Sequence, residues 1–200
     1  MTESELVISC VKLLSDFHSF EQTLSARGPW VAGIDMPFGQ PRKLINAFRW
    51  PTVWKDYVAR VERIGKFRFE DKLKKYREKQ AKGSKEHLRA TDKRAKSISP
   101  MRLDYQPVGK MFFQGAPRLL RSRANIVPCA PNKSNRTIVE TYPALVSEAL
   151  AGTRSYKSDK KAKQKSEHKK ARRKIADGLQ SKTCRERYGF KVNLQSDTRK

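Results

Sequence analysis

Trp30-Val31-Ala32-Gly33-Ile34-Asp35-Met36-Pro37-Phe38-Gly39 is the stretch on which the fold class turns. Five mostly apolar residues, Trp30 to Ile34, read as a buried strand, and Pro37 stops it because proline cannot donate to a strand ladder. A second run of the same kind is Thr137-Ile138-Val139, ended by Pro143. Helical periodicity surrounds both. Pro51 to Ile64 places Val53, Trp54, Tyr57, Val58 and Val61 on one side, and Ala144 to Leu150 forms a helix capped by Gly152. Strands followed by helices predict an α/β domain with parallel pairing. Each strand ends in one acid, Asp35 after Ile34 and Glu140 after Val139. Ligands of open α/β sheets gather beyond the carboxyl ends of the strands, where these acids lie.

Outward from these strands the expectations are less sharp. Val7, Cys10, Val11, Leu14, Phe17 and Leu24 recur at helical spacing, so 4–25 reads as an amphipathic helix ended by Gly28-Pro29. Phe67 to Lys79 reads as a charged helix, and Gly83 to Gln106 as polar loop. Val108 to Arg121 is expected in two pieces, broken at Gly115 and Pro117. Ala162, Ala171, Ile175 and Leu179 mark a narrow apolar stripe on a last, strongly basic helix over 154–180. One domain is expected over 1–200, with 66–98 as a basic insertion or loop.

The chain has 45 Lys+Arg against 20 Asp+Glu in 200 residues, a net charge of +25, and a hydrophobic fraction of 37%. So large an excess self-repels in a compact state and favours a polyanionic partner, most simply nucleic acid. The excess is uneven. Residues 1–30 carry a net −2, whereas 55–96 and 154–174 carry +9 each. No apolar run approaches the ~18 residues of a membrane span, so no membrane partner is expected. Cys10, Cys129 and Cys184 lie far apart, and His18, His87 and His168 do not cluster. This spacing argues against a disulfide framework, a disulfide-linked partner or a structural zinc site. No secretory signal is visible, and a reduced, cytoplasmic setting is the expectation. No phosphate loop and no nucleophile elbow is present.

Both acids have a plain reading and a chemical one. Asp35 before Met36-Pro37 can start a turn by bonding its own backbone. Glu140 can be a solvated strand end. Two carboxylates converging at adjacent strand ends repel unless a cation lies between them, and two-metal phosphoryl-transfer sites use such carboxylates to hold their ions. In 154–174 the plain reading of the charge is a solvated helix face. The sharper one is a phosphate surface of Lys160, Lys163, Lys170, Arg173 and Lys174; neutralising about six phosphates would cost roughly three orders of magnitude in affinity from 50 to 200 mM salt. In 66–82, Phe67, Phe69 and Tyr76 interleave with basic residues, which suits either core packing or base stacking.

Five short motifs follow one another in order: Asp35-Met36-Pro37-Phe38-Gly39, Arg89-Ala90-Thr91-Asp92, Gln114-Gly115-Ala116-Pro117, Glu140-Thr141-Tyr142-Pro143 and Ser155-Tyr156-Lys157. In this the chain resembles the family called domain of unknown function 429, regarded as predicted nucleases of ribonuclease H-like fold. The likeness covers about 28–190. It implies a mixed sheet flanked by helices, with acids at the strand ends binding Mg²⁺ or Mn²⁺. Asp35 and Glu140 match the family's motif positions and would ligate the metal, with Asp92 as a third acid. Arg89 matches the polar segment more loosely and is expected to bind nucleic-acid phosphate, and Lys157 with the basic helix after it would hold the phosphates. Such proteins begin with an acid-bearing strand and end with an Asp-containing helix. Here the first 28 residues read as a helix, and Asp197 does not match. The sheet is therefore expected to be incomplete and the site short of acids. The resulting expectation is a metal-dependent nuclease, complete or degenerate, and the alternative is a non-catalytic nucleic-acid-binding module.

Overall fold

A computed structural model describes residues 4–158 and 161–194. In chain order the elements are β1 (Ser4–Ile8), α1 (Phe17–Leu24), β2 (Trp30–Ile34), α2 (Arg42–Ala47), α3 (Trp54–Ile64), α4 (Lys66–Glu78), α5 (Ala90–Ala95) and α6 (Val108–Ser122). They continue as β3 (Asn125–Val127), β4 (Arg136–Glu140), α7 (Pro143–Ala151), α8 (Ser166–Leu179), α9 (Lys182–Tyr188) and β5 (Phe190–Leu194). This is an α/β protein. Where one domain is expected, the chain divides into two compact units, one of Asp16–Tyr142 and one of Met1–Ser15 with Pro143–Lys200.

The first unit is built on a parallel sheet of order β2-β4-β3. Ile34 of β2 stands opposite Glu140 of β4, so both strands end at the same level. The pairing of β3 with β4 is also parallel, although residues 128–135 alone connect them. Parallel neighbours ordinarily need a crossover of a dozen or more residues. Here the chain first folds back, with Ala130 bridging antiparallel to Ile126. Asn132 then ties the bend, its amide donating to the Ala124 carbonyl at 2.9 Å while its own N–H donates to Asn125 Oδ1 at 3.1 Å.

The core of this unit is largely aromatic. Phe69 lies between Phe112 and Phe113 at centroid distances of 6.0 and 5.4 Å, with Trp50 at 6.3 Å. Offset and tilted pairs at such distances add to the area each ring buries. Val58, Val61, Leu44, Leu73, Leu103, Leu119 and Ile138 fill the remainder. Between α3 and α4, Gly65 adopts φ +80°, a left-handed conformation that glycine supplies without steric cost. Phe69 and Tyr76 of α4 pack on the core, whereas Phe67 is 87% exposed.

Several sequence expectations are corrected. The helix expected over 4–25 is strand β1, an irregular stretch, and α1. The β-branched Val7 and Ile8 pair parallel with β5, and Asp16 starts α1 by accepting from the Ser19 N–H at 2.7 Å. Val11, Leu13 and Leu14 are exposed rather than packed. The polar stretch 83–106 contains α5, and β3 precedes β4 without a sequence signal. The expected break in α6 is absent: the helix runs unbroken through Pro117. Proline there forfeits one helix hydrogen bond, at about 3 kcal/mol, but Ala116, Pro117 and Leu119 are all buried. Gly115 lies against the strand-end turn, since a Cβ there would overlap Met36 Sδ.

The second unit is sparser. Its sheet is the two-stranded parallel pair β1-β5, and α7 packs on α8. Ala171, Cys184 and Val192 are its buried apolar residues among those described. The basic helix expected over 154–180 is shorter, a turn at Lys161–Lys163 followed by α8. Cys10, Cys129 and Cys184 are free thiols. Among the described residues no helix is long and apolar enough to cross a membrane.

Candidate functional site

The carboxyl ends of β2 and β4 carry the acids that the sequence singles out. After Ile34 the chain turns at once, Met36 N–H donating to the Ile34 carbonyl at 3.0 Å. Met36, Pro37 and Phe38 plunge into the core, and the Trp54 indole N–H donates to the Phe38 carbonyl at 2.6 Å. Asp35 is left exposed at the strand end, and it is not without a partner. The Phe38 N–H points back at β4 and donates to Glu140 Oε2 at 2.9 Å. The apolar half of the motif thus anchors a turn whose backbone holds Glu140.

Arg89 joins this turn to α5. Its guanidinium donates to Glu140 Oε1 and Oε2 at 2.6 and 2.9 Å, and to Asp92 Oδ1 and Oδ2 at 2.7 and 3.0 Å. The Arg89 N–H also donates to Asp92 Oδ2 at 2.8 Å, and Ser97 Oγ lies 3.2 Å from Oδ1. Asp92 is 3% exposed at its side chain, Arg89 18% and Glu140 30%. Burial works against the charge on Arg89. The bonds to Asp92 and Glu140 more than offset it, holding the guanidinium above its ordinary value. One cation thus satisfies two carboxylates, with paired N–H donors of the kind only arginine offers.

This donor set does not fit Mg²⁺ or Mn²⁺. Both ions want oxygen ligands, and Mg²⁺ demands near-octahedral geometry. All four oxygens of Asp92 and Glu140 already accept hydrogen bonds, and a fixed positive charge stands within 3.0 Å of each carboxylate. Among the described residues no group of three or more His, Cys, Asp or Glu is placed to hold a metal ion. Asp35 follows the last residue of β2, and Glu140 is the last residue of the neighbouring β4. Arg89, expected to face phosphate, is turned inward onto acids.

Beside this pair lies a cleft of about 860 Å³, contained wholly in the Asp16–Tyr142 unit. Ile45, Trp54, Leu88 and Pro128 give it an apolar wall, and Arg42, Lys43 and Lys93 bring positive charge. Its two acids are engaged: Glu140 as above, and Glu86 with Arg77 and Arg102 at 3.0 and 3.1 Å. Arg42, Lys43 and Lys93 are exposed and, among the described residues, have no ion pair. His87 donates or accepts at Tyr76 Oη over 2.9 Å, and burial with the nearby Lys43 charge lowers its pKa from the ordinary 6.5. Burial and then the charge of Glu140 push the Cys129 thiol up to about 11, which keeps it protonated and unreactive at neutral pH.

The basic segment of the other unit stands by itself. Lys163, Lys170, Arg173 and Lys174 are exposed, while Lys157 stands 5.9 Å over the Tyr156 ring. Arg172, also exposed, donates to the Tyr156 carbonyl at 2.8 Å. Lys160 and Asp197 lie outside the described residues. The sequence reading missed Arg42, Lys43 and Lys93 because nothing local separates them from the other bases. Their distinction is that they line one cleft together, which arises only on folding. No protein-family model, curated protein or solved structure matches this chain.

Proposed function

We propose that the chain binds nucleic acid through unpaired cationic side chains and does so without chemistry of its own. The observation that carries this reading is how the charge is sorted. In the Asp16–Tyr142 unit, Arg77, Arg89, Arg102, Arg118 and Arg121 are spent on Glu86, Asp92, Glu140, Glu21 and Glu62. Arg42, Lys43 and Lys93 keep their charge for a partner, and in the other unit so do Lys163, Lys170, Arg173 and Lys174. Phosphate neutralisation by such residues releases counterions and needs no metal.

Metal-dependent phosphodiester cleavage is the second reading. What favours it is that Asp35 directly follows β2 while Glu140 is the last residue of the neighbouring parallel strand β4. It requires Arg89 to leave its carboxylates. Membership of the domain of unknown function 429 family, with its ribonuclease H-like fold, belongs to the same proposal and is supported by that strand pair and its acids.

Binding of a labelled single-stranded oligonucleotide, followed by anisotropy across a salt series, tests the first reading. The expected result is an affinity that falls steeply with salt, unchanged by a chelator, with no cleavage in Mg²⁺ or Mn²⁺. Flat salt dependence would overturn it. So would cleavage that disappears in the Asp35→Asn, Glu140→Gln double variant.

A further inference from the structure

The cleft of the Asp16–Tyr142 unit combines two wall chemistries that inorganic phosphate alone would not use. Ile45, Trp54, Leu88 and Pro128 are apolar, and Arg42, Lys43 and Lys93 are free cations. The acids among its lining residues, Glu86 and Glu140, are each satisfied by arginine, so an entering anion meets no unpaired carboxylate there. Gln40 lines the same cleft and is 4% exposed. Its amide N–H donates to the Pro100 carbonyl at 2.8 Å, while its Oε1 is buried without a partner among the described residues. A buried acceptor with no donor is costly.

The volume of about 860 Å³ falls within the ~300–1,000 Å³ that encloses a small organic ligand. A base stacked inside a duplex cannot reach an apolar wall unless it is extruded from its stack. An unpaired nucleotide can. We infer that this cleft takes one nucleoside phosphate, its phosphate on Arg42, Lys43 and Lys93 and its base against the wall of Ile45, Trp54, Leu88 and Pro128. The inference rests on the nucleic-acid reading and narrows it to a free nucleotide or the unpaired terminal nucleotide of a strand.

The test is a titration of tryptophan fluorescence, which Trp54 reports from the wall. The probes are inorganic phosphate, adenosine 5′-monophosphate, a short 5′-phosphorylated single strand and the matching duplex. The mononucleotide and the single strand are expected to bind, with phosphate and duplex weaker by about tenfold or more. The Arg42→Gln, Lys43→Gln, Lys93→Gln variant, with unchanged circular dichroism, loses mononucleotide binding, and its salt slope for the single strand falls by about 2. The single reversal Lys43→Glu acts in the same direction and serves if the triple variant does not fold. A mononucleotide that binds when the strand does not identifies a free nucleotide as the ligand; the inference stands and the nucleic-acid reading falls. A strand whose binding survives the cleft variants and is lost in Lys170→Gln, Arg173→Gln, Lys174→Gln does the reverse. Inorganic phosphate that competes as well as the mononucleotide overturns the base wall. A wild-type chain that binds none of the probes overturns both.

Discussion

The Asp16–Tyr142 unit holds 27 basic and 12 acidic residues, and the unit of 1–15 and 143–200 holds 18 and 8. The ratios are alike, yet the charge is organised in opposite ways. In the first unit an aromatic core fixes the backbone, and arginines are drawn onto carboxylates from distant parts of the chain. Glu21 and Glu62 meet at Arg121, and Asp92 and Glu140 meet at Arg89. In the second, a narrow stripe with Ala171 at its centre docks α8 and leaves its lysines to solvent. A large core thus lets a protein place charges where they are internally useful. A small one leaves them at the surface.

The contrast is broken most directly through the core. Phe69→Ala removes a ring packed on three others and is expected to cost about 3–5 kcal/mol in urea unfolding. Val192→Ala in the other unit deletes two buried methyl groups and costs about 1.5 kcal/mol. Equal losses would erase the distinction between the two cores. Arg89→Ala comes next, at about 3–5 kcal/mol where its charge is needed, because Asp92 is left buried and uncompensated. Arg89→Met, which keeps the length of the side chain and drops its charge, should lose nearly as much. A Met variant as stable as wild type would assign Arg89 a packing role instead.

On the sparse side, Lys170→Gln, Arg173→Gln, Lys174→Gln should leave unfolding within about 0.5 kcal/mol of wild type. The same variant should lower the salt slope of strand binding by about 2. A destabilised variant with normal binding would contradict the solvated face. The smallest effect concerns His87. Its folded pKa lies below its unfolded value, so the neutral form is favoured on folding. The contribution is therefore full above pH ~6.5 and lost as pH falls through the lowered pKa. His87→Gln should flatten the acid limb of the unfolding curve slightly, as read by thermal melts from pH 7 to pH 5. An unchanged limb would remove His87 as its source.

The sequence carried the parallel pair β2–β4 because both strands are short apolar runs bounded by proline, a local signal. It carried α3 through its helical spacing, α7 through its apolar run capped by Gly152, and α4 as a charged helix. It did not carry the end of the 4–25 pattern, since Val7, Val11 and Leu14 fit a helical stripe until the chain offers β1 a parallel partner 186 residues away. It misread Gly115 and Pro117, whose local cost is outweighed by burial that spacing does not reveal. At the site, Asp35 and Glu140 were legible from their place after strands, and Asp92 and Arg89 from their motif. The pairing of Arg89 with Glu140, 51 residues apart, was not. That contact turns two candidate metal ligands into an arginine's counter-ions, and it depends on where α5 lies relative to β4.

The eight-residue link between β3 and β4 also bears on the order in which the sheet assembles. Closing it constrains a short loop, whereas β2 reaches β4 only after the 101 residues from 35 to 135 are gathered in. By loop-closure entropy the two steps differ by about 2 kcal/mol. The β3–β4 pair is therefore the cheap nucleus and β2 the late arrival. Ile126→Val should slow refolding, while Ile34→Val in β2, which packs against the core, should chiefly speed unfolding, and stopped-flow chevrons would show whether the sheet grows inward from β3 or closes from β2.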